Sequence, residues 1–202
     1  MSATKIGINM RGSAGYVTDG PDQTYCLNDA YPVTRGGWTF GWETAMSHAL
    51  DRDSSVDPRL AGINANAPDT PARTFRVDLP AAGDYGVRLA IGDAAGSPWP
   101  TEWQVKDGTT VVIGPHTPSA TARFVDAVNA NYSNAAWPGS NTQVVETFAT
   151  TICRLDFPSP GGNWVMVGHI EVEQQGGGGG DAKPWLYRSH THTLGAGFGS
   201  AM

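Results

Sequence analysis

Lysine is scarce in this chain, with three residues in 202, and 13 Lys+Arg against 19 Asp+Glu leave a net charge of -6. That balance excludes the clustered cations of a nucleic-acid surface and the basic stripe of a membrane-lying helix. No apolar run approaches the roughly 18 residues of a membrane span. The opening MSATKIGINM has no apolar stretch of signal-peptide length. The expectation is a chain made in the cytoplasm and not exported by the usual route. Cysteine is nearly absent: Cys26 and Cys153 stand far apart, in no CxxC or Cys/His metal spacing. They read either as two buried free thiols or as a disulfide suited to a particle that survives outside a cell.

Catalytic signatures are missing too. There is no G-x-S-x-G elbow, phosphate loop or dinucleotide fingerprint. The pair Glu43 and Asp51 has no spacing diagnostic of glycosidase acids. His190 and His192 share one face of an extended segment, but no further ligand stands near them. Asp51, Asp53 and Asp57 resemble a calcium loop, yet Val56 and Gly62 occupy the positions where an EF-hand needs Gly and Glu. These carboxylates are expected to pair with Arg52 and Arg59 or to cap turns. A structural calcium ion in this loop is the one metal left open, and no cofactor is expected. The chain reads as non-enzymatic.

What is present is turn-forming residues and alternation: 26 Gly, 14 Pro and 40% hydrophobic residues, the profile of an all-β chain. The stretch RTFRVDLPAAGDYGVRLAIGD, residues 73–93, organises the rest. Phe75, Val77 and Leu79 alternate with Thr74, Arg76 and Asp78. After Pro80 to Asp84, Tyr85, Val87, Leu89 and Ile91 alternate again, which predicts a β-hairpin with one buried face. Other strands are expected over Lys5–Met10, Thr24–Leu27, Thr121–Val125 and Trp164–Val172, with His169 on the outer face of the last. A second hairpin joins Thr101–Val105 to Thr109–Ile113 through Asp107-Gly108. Residues 144–157 read as one long strand with a bulge or bend near Ile152-Cys153. Glu43 to Leu50 reads as one or two helical turns.

Trp38, Phe40 and Trp42 share one strand face, either as core or as a stacking platform for a flat apolar ligand face. Trp99 lies in a Pro-flanked loop. Tyr132 and Trp137 lie in the polar segment 126–142, whose amides and aromatics suit a sugar-binding loop and a plain surface loop alike. The ligand-contact candidates are therefore Trp42, Trp99, Tyr132 and Trp137. Beyond Glu173 the character changes. Residues 174–180 form a Gly-rich linker. Residues 181–202 form a tail whose Trp185, Leu186, Tyr187, Leu194 and Phe198 are costly to leave wet, so the tail is expected to dock on another subunit.

Three pieces together, KIGINMRGSAGYVTDG, FGWE with DRDSSVDPRLAGIN, and the 73–93 stretch, resemble the galactose-binding-like jelly-roll modules of the malectin and pectin-esterase-accessory type. Phe75, Val77, Leu79, Pro80, Gly83, Asp84, Tyr85, Val87 and Leu89 carry the resemblance, which spans residues 5–173. It implies a two-sheet antiparallel β-sandwich with carbohydrate-binding loops at one end. The full expectation is a β-sandwich over 1–173, a linker over 174–180 and a docking tail over 181–202. The first functional reading is a non-enzymatic virion component of a tailed bacteriophage, a decoration, collar or tail protein. Its partners would be other virion subunits, in a homo-oligomer or on a capsid or tail protein, and host cell-surface glycans. The second is a free-standing carbohydrate-binding module, and a small esterase-like hydrolase comes third.

Overall fold

The computed structural model of the chain describes residues 4–14, 22–52, 57–67, 71–93, 102–118, 124–132, 141–158 and 164–176. Within them run fifteen strands: β1 (Lys5–Met10), β2 (Gln23–Cys26), β3 (Val33–Arg35), β4 (Trp38–Trp42), β5 (His48–Asp51), β6 (Gly62–Asn66), β7 (Arg73–Asp78), β8 (Gly83–Gly92), β9 (Trp103–Asp107), β10 (Thr110–His116), β11 (Phe124–Val125), β12 (Asn131–Tyr132), β13 (Val144–Phe148), β14 (Ile152–Phe157) and β15 (Val165–Gln174). One 3-10 turn, Pro58–Leu60, interrupts them. No helix among the described residues is long and apolar enough to cross a membrane. The expected two-sheet β-sandwich is the fold, and its pairing is largely antiparallel.

The two ten-residue strands, β8 and β15, pair antiparallel at the centre of a nine-stranded sheet. The far edge of β15 is shared by β1 and β6, and the far edge of β8 by β13 and β11. The six-stranded sheet runs β10-β9-β14-β7-β4-β3. Strand β1 also pairs with β2 in parallel, Ile8 opposite Thr24, a departure from the all-antiparallel expectation. Between the sheets lies one core that includes Ile8, Phe40, Trp42, Phe75, Tyr85, Leu89, Trp103, Phe157 and Val172. Trp38, Phe40 and Trp42 all face it, so this aromatic row is core.

Residues 73–93 are not a hairpin. Strand β7 pairs with β14 and β4 in one sheet, and β8 pairs with β15, β13 and β11 in the other. Their alternating apolar rows do meet, but across the core rather than side by side. The link 79–82 is an arch from sheet to sheet. Tyr85 stitches it by donating its hydroxyl hydrogen to the Ala81 carbonyl at 2.8 Å. The long strand expected over 144–157 is a second arch: β13 pairs with β8 and β14 pairs with β7. The change of face near Ile152 is therefore a change of sheet, not a bulge. The arches are joined where the Leu79 amide donates to the Thr151 carbonyl at 2.9 Å.

Asp107 fastens the second arch. Its carboxylate accepts from the amides of Ala149 at 2.7 Å and Thr150 at 3.0 Å, and from the Thr150 hydroxyl. Burial opposes the charge, but these donors hold the carboxyl below its ordinary range. Asp107→Ala is expected to cost about 2 kcal/mol, because buried amides lose a charged acceptor. A denaturant midpoint shift without a change in slope checks this. The Asp107-Gly108 turn does join a true hairpin, β9 with β10, and Gly108 takes φ +58° there.

Other expectations shift locally. Residues 48–51 pair with β6 as a strand, so the helical turns expected over 43–50 are replaced there. Asp57 pairs with Arg59 at 2.7 Å and caps its amide at 2.9 Å, as expected of that loop. Arg52 instead reaches Asp93 at 2.8 Å. Cys26 and Cys153 are buried free thiols, so the disulfide alternative falls. Burial pushes both up to about 12. His169 does point to the outer face of the nine-stranded sheet, but it is 0% exposed there, beside the Asn9 side chain at 3.1 Å. Residues 177–202, and with them Trp185, Leu186, Tyr187, Leu194 and Phe198, lie outside the described residues.

Candidate functional site

Two regions of the described structure carry polar chemistry beyond what the fold requires. The first is the outer face of the six-stranded sheet. Register places Lys106, Arg154 and Arg76 side by side on β9, β14 and β7, and Gly41 of β4 next in the row. A second row holds Gln104, Asp156 and Thr74. These side chains lie on the outer face because residues alternate and the intervening Val105, Leu155, Phe75 and Val77 fill the core.

The two rows orient one another. Arg154 donates through Nε to Glu43 Oε1 at 2.9 Å and through Nη1 to the Gly108 carbonyl at 2.8 Å. Arg76 donates through Nε to Asp78 at 2.7 Å, and its Nη1 stands 3.9 Å from Glu43. The Arg76 guanidinium also stacks 4.4 Å above the Tyr31 ring. The Tyr31 hydroxyl donates to Asp78 Oδ2 at 2.7 Å, and that bond, with some burial, raises its pKa. Asp156 accepts from Lys106 at 2.6 Å, Gln104 at 3.0 Å and Thr74 at 2.7 Å. Burial opposes its charge, but these donors outweigh burial and hold the carboxyl below its ordinary range. The result is a half-buried plate of donors and acceptors, locked in place before any ligand arrives, which lowers the ordering cost of binding.

Gly41 makes the plate possible. A Cβ there would stand 2.8 Å from the Tyr31 Cα and amide nitrogen, and its φ of +143° suits few other residues. Gly41→Ala should therefore displace Tyr31 and, with it, the stacked Arg76. A change in Tyr31 fluorescence or NMR shifts at nearly unchanged fold would report this.

The second region is the end of the sandwich where β6 and β8 finish and β7, β9 and β15 begin. Arg73 lies there in the inward row of Phe75 and Val77, opposite Phe157. Trp103 begins β9, beyond β14 from Arg73, and is fully buried.

The sequence-nominated ligand contacts divide accordingly. Trp42 is 0% exposed, stacks edge-on against Phe75 and donates its indole hydrogen to Asn64 Oδ1 at 2.9 Å. It is core and presents no ring to a ligand, because its position on the inward row of β4 fixes the direction of the side chain. The backbone of Tyr132 pairs with Phe124 on β11. Trp99 and Trp137 lie outside the described residues. Tyr31, Glu43, Arg76, Asp78 and Arg154 were not nominated, since they come from three separated parts of the chain. No group of three or more His, Cys, Asp or Glu among the described residues is placed to hold a metal ion.

Fold and site together define a β-sandwich whose six-stranded sheet carries an ordered polar outer face. No family model matches the chain, and no curated protein does. Among solved structures, the plant receptor-like kinase FER is similar over 85% of this chain, at 17% identity and a TM-score of 0.48. A Bacteroides uniformis beta-glucuronidase 2 is similar over the same share, at 14% and 0.46. The mannan binding module from Man5C is similar over 56% of this chain and 83% of its own, at 16% and 0.35. The chain spans 42% of the kinase structure and 18% of the glucuronidase structure. At these values the likeness fixes neither a family nor a ligand.

Proposed function

We propose that this chain is a non-catalytic carbohydrate-binding β-sandwich that takes its ligand on the outer face of the six-stranded sheet. The observation that carries this reading is the preordered array of Tyr31, Arg76, Asp78, Glu43 and Arg154. Sugar hydroxyls both donate and accept, and they are recognised by fixed carboxylates and guanidiniums beside an aromatic edge. Glu43→Gln combined with Arg76→Met is expected to weaken glycan binding by about tenfold or more, the loss of two charge-assisted contacts. Glycan-array screening followed by calorimetry checks this, with melting temperature as the fold control. Equal binding by the double variant would remove this face from the reading.

The place of work is a second proposal, resting on sequence. The Gly-rich linker 174–180 and the apolar residues of 181–202 support a tail that anchors the sandwich on a bacteriophage particle, as a decoration, collar or tail component. Synthesis in the host cytoplasm belongs to the same reading. Light scattering of the full chain beside a truncation ending at Glu173 tests tail-driven assembly. If both are monomers and the full chain fails to bind phage particles, the virion reading fails and the free-standing module remains.

A further inference from the structure

Arg73 is 8% exposed and stands on the core-facing row of β7 at the end of the sandwich. Its Nη2 donates to Asn66 Oδ1 at 3.4 Å, a long bond to a neutral amide that also accepts from the Ser47 amide at 3.1 Å. Among the described residues its Nε and Nη1 have no hydrogen-bond partner. Among the described residues no carboxylate pairs with it, whereas Arg35, Arg52, Arg59, Arg76, Arg88 and Arg154 each have one. At the same end, the buried indole N–H of Trp103 also lacks an acceptor among the described residues. Trp103 begins β9, two strands from β7 across β14, so it stands roughly 10 Å from Arg73.

Buried charges in folded proteins are paired, because an isolated ion out of water is unfavourable by several kcal/mol. A guanidinium cannot escape by losing its proton. An arginine placed inward with open donors, and a second open donor nearby, is therefore a site that something else completes. The missing partner is an acceptor and carries negative charge. One guanidinium matches one negative charge, and a phosphate would bring a second that Arg73 alone does not neutralise. The planar fork of arginine fits a carboxylate.

We propose that Arg73 is the anion-recognising residue of a ligand site at this end of the sandwich, and that its ligand is a sugar bearing a carboxylate, such as a uronic acid. Trp103 supplies a neutral donor to the same ligand. The sugar part of this assignment rests on the carbohydrate reading above, and the carboxylate part does not.

The test uses the full-length chain with arginine Nε labelled by nitrogen-15, titrated with glucuronate, glucose and acetate. The expected result is a shifted and exchange-protected Arg73 Nε–H with glucuronate, and an affinity for glucose at least about tenfold weaker, as for the loss of a charged contact. Arg73→Met is expected to lose the glucuronate response while melting no lower than wild type, since it removes an unpaired buried charge. Arg73→Lys, which keeps the charge and loses the fork, should fold and bind about tenfold more weakly. If glucose and glucuronate bind alike, the carboxylate assignment is overturned and the carbohydrate reading stands. If acetate matches glucuronate while glucose and the glycan array both stay silent, the anion site stands and the sugar part falls. If no carboxylate shifts the Arg73 signal, or Arg73→Met binds glucuronate as wild type does, the proposal is overturned.

Discussion

Trp42→Ala is expected to destabilise the chain by about 4 kcal/mol, the range of large aromatic deletions from a closed core. Three losses add. The side chain is 0% exposed, so its whole apolar surface is lost from the core. Its edge contact with Phe75, centroids 5.0 Å apart, disappears. Asn64 Oδ1 loses the indole donor at 2.9 Å and stays buried. Trp42→Phe should recover most of the packing but not the Asn64 bond, and so fall between. Chemical denaturation of the three proteins measures this. A ligand platform behaves differently: its ring meets solvent, and its removal costs binding with little stability. A Trp42→Ala variant that melts like wild type would restore the platform reading.

Acid is expected to destabilise the sandwich through His169, by about 3 kcal/mol at pH 4. The imidazole is 0% exposed, and burial pushes its pKa down to about 3, helped by the nearby Arg59, Lys5 and Arg11 charges and opposed by Asp57. Unfolded, the same imidazole titrates near 6.5. Below that value the unfolded chain binds a proton that the folded chain refuses, so protons favour unfolding. The stabilisation is full above pH 6.5 or so and is lost as pH falls toward 3, at roughly 1.4 kcal/mol per unit. His169→Gln removes the titration and keeps a polar group near Asn9. The difference in unfolding free energy between wild type and variant, followed from pH 7 to 4, should shrink by about the same 3 kcal/mol. A difference that stays constant with pH would show that His169 is not held neutral.

The alternation in residues 73–93 was legible because a period of two reports which side chains are buried. It does not report which strand lies alongside. Phe75 and Tyr85 do face the same core, yet they stand in different sheets, since pairing is decided by long-range partners such as Leu155 for Phe75 and Glu146 for Tyr85. The same limit hid the second arch, where the apolar shift near Ile152 marked a crossing between sheets. Of the polar face, the outward row Thr74, Arg76 and Asp78 was visible as the alternate to the apolar row. Its neighbours Arg154 and Lys106 became neighbours only through strand pairing. Arg73 did leave a signal: it occupies an inward position of the alternation, where an apolar residue belongs. The resemblance pointed to the right architecture, whereas Trp42, nominated as a ligand contact from the alternation of its strand, is core.

Strand β1 pairs antiparallel with β15, Lys5 opposite Glu173. Both chain ends of the sandwich therefore leave from one side, next to each other. A load applied between a residue just before Lys5 and one just after Gln174 would open this ladder one hydrogen bond at a time, like a zipper, instead of shearing all its bonds together. In a single-molecule pulling experiment through these two points, the sandwich should yield at low force even though it resists denaturant. Two fusion partners attached at these points would sit as neighbours, so the domain can be spliced into a surface loop of another protein with little spreading of that loop.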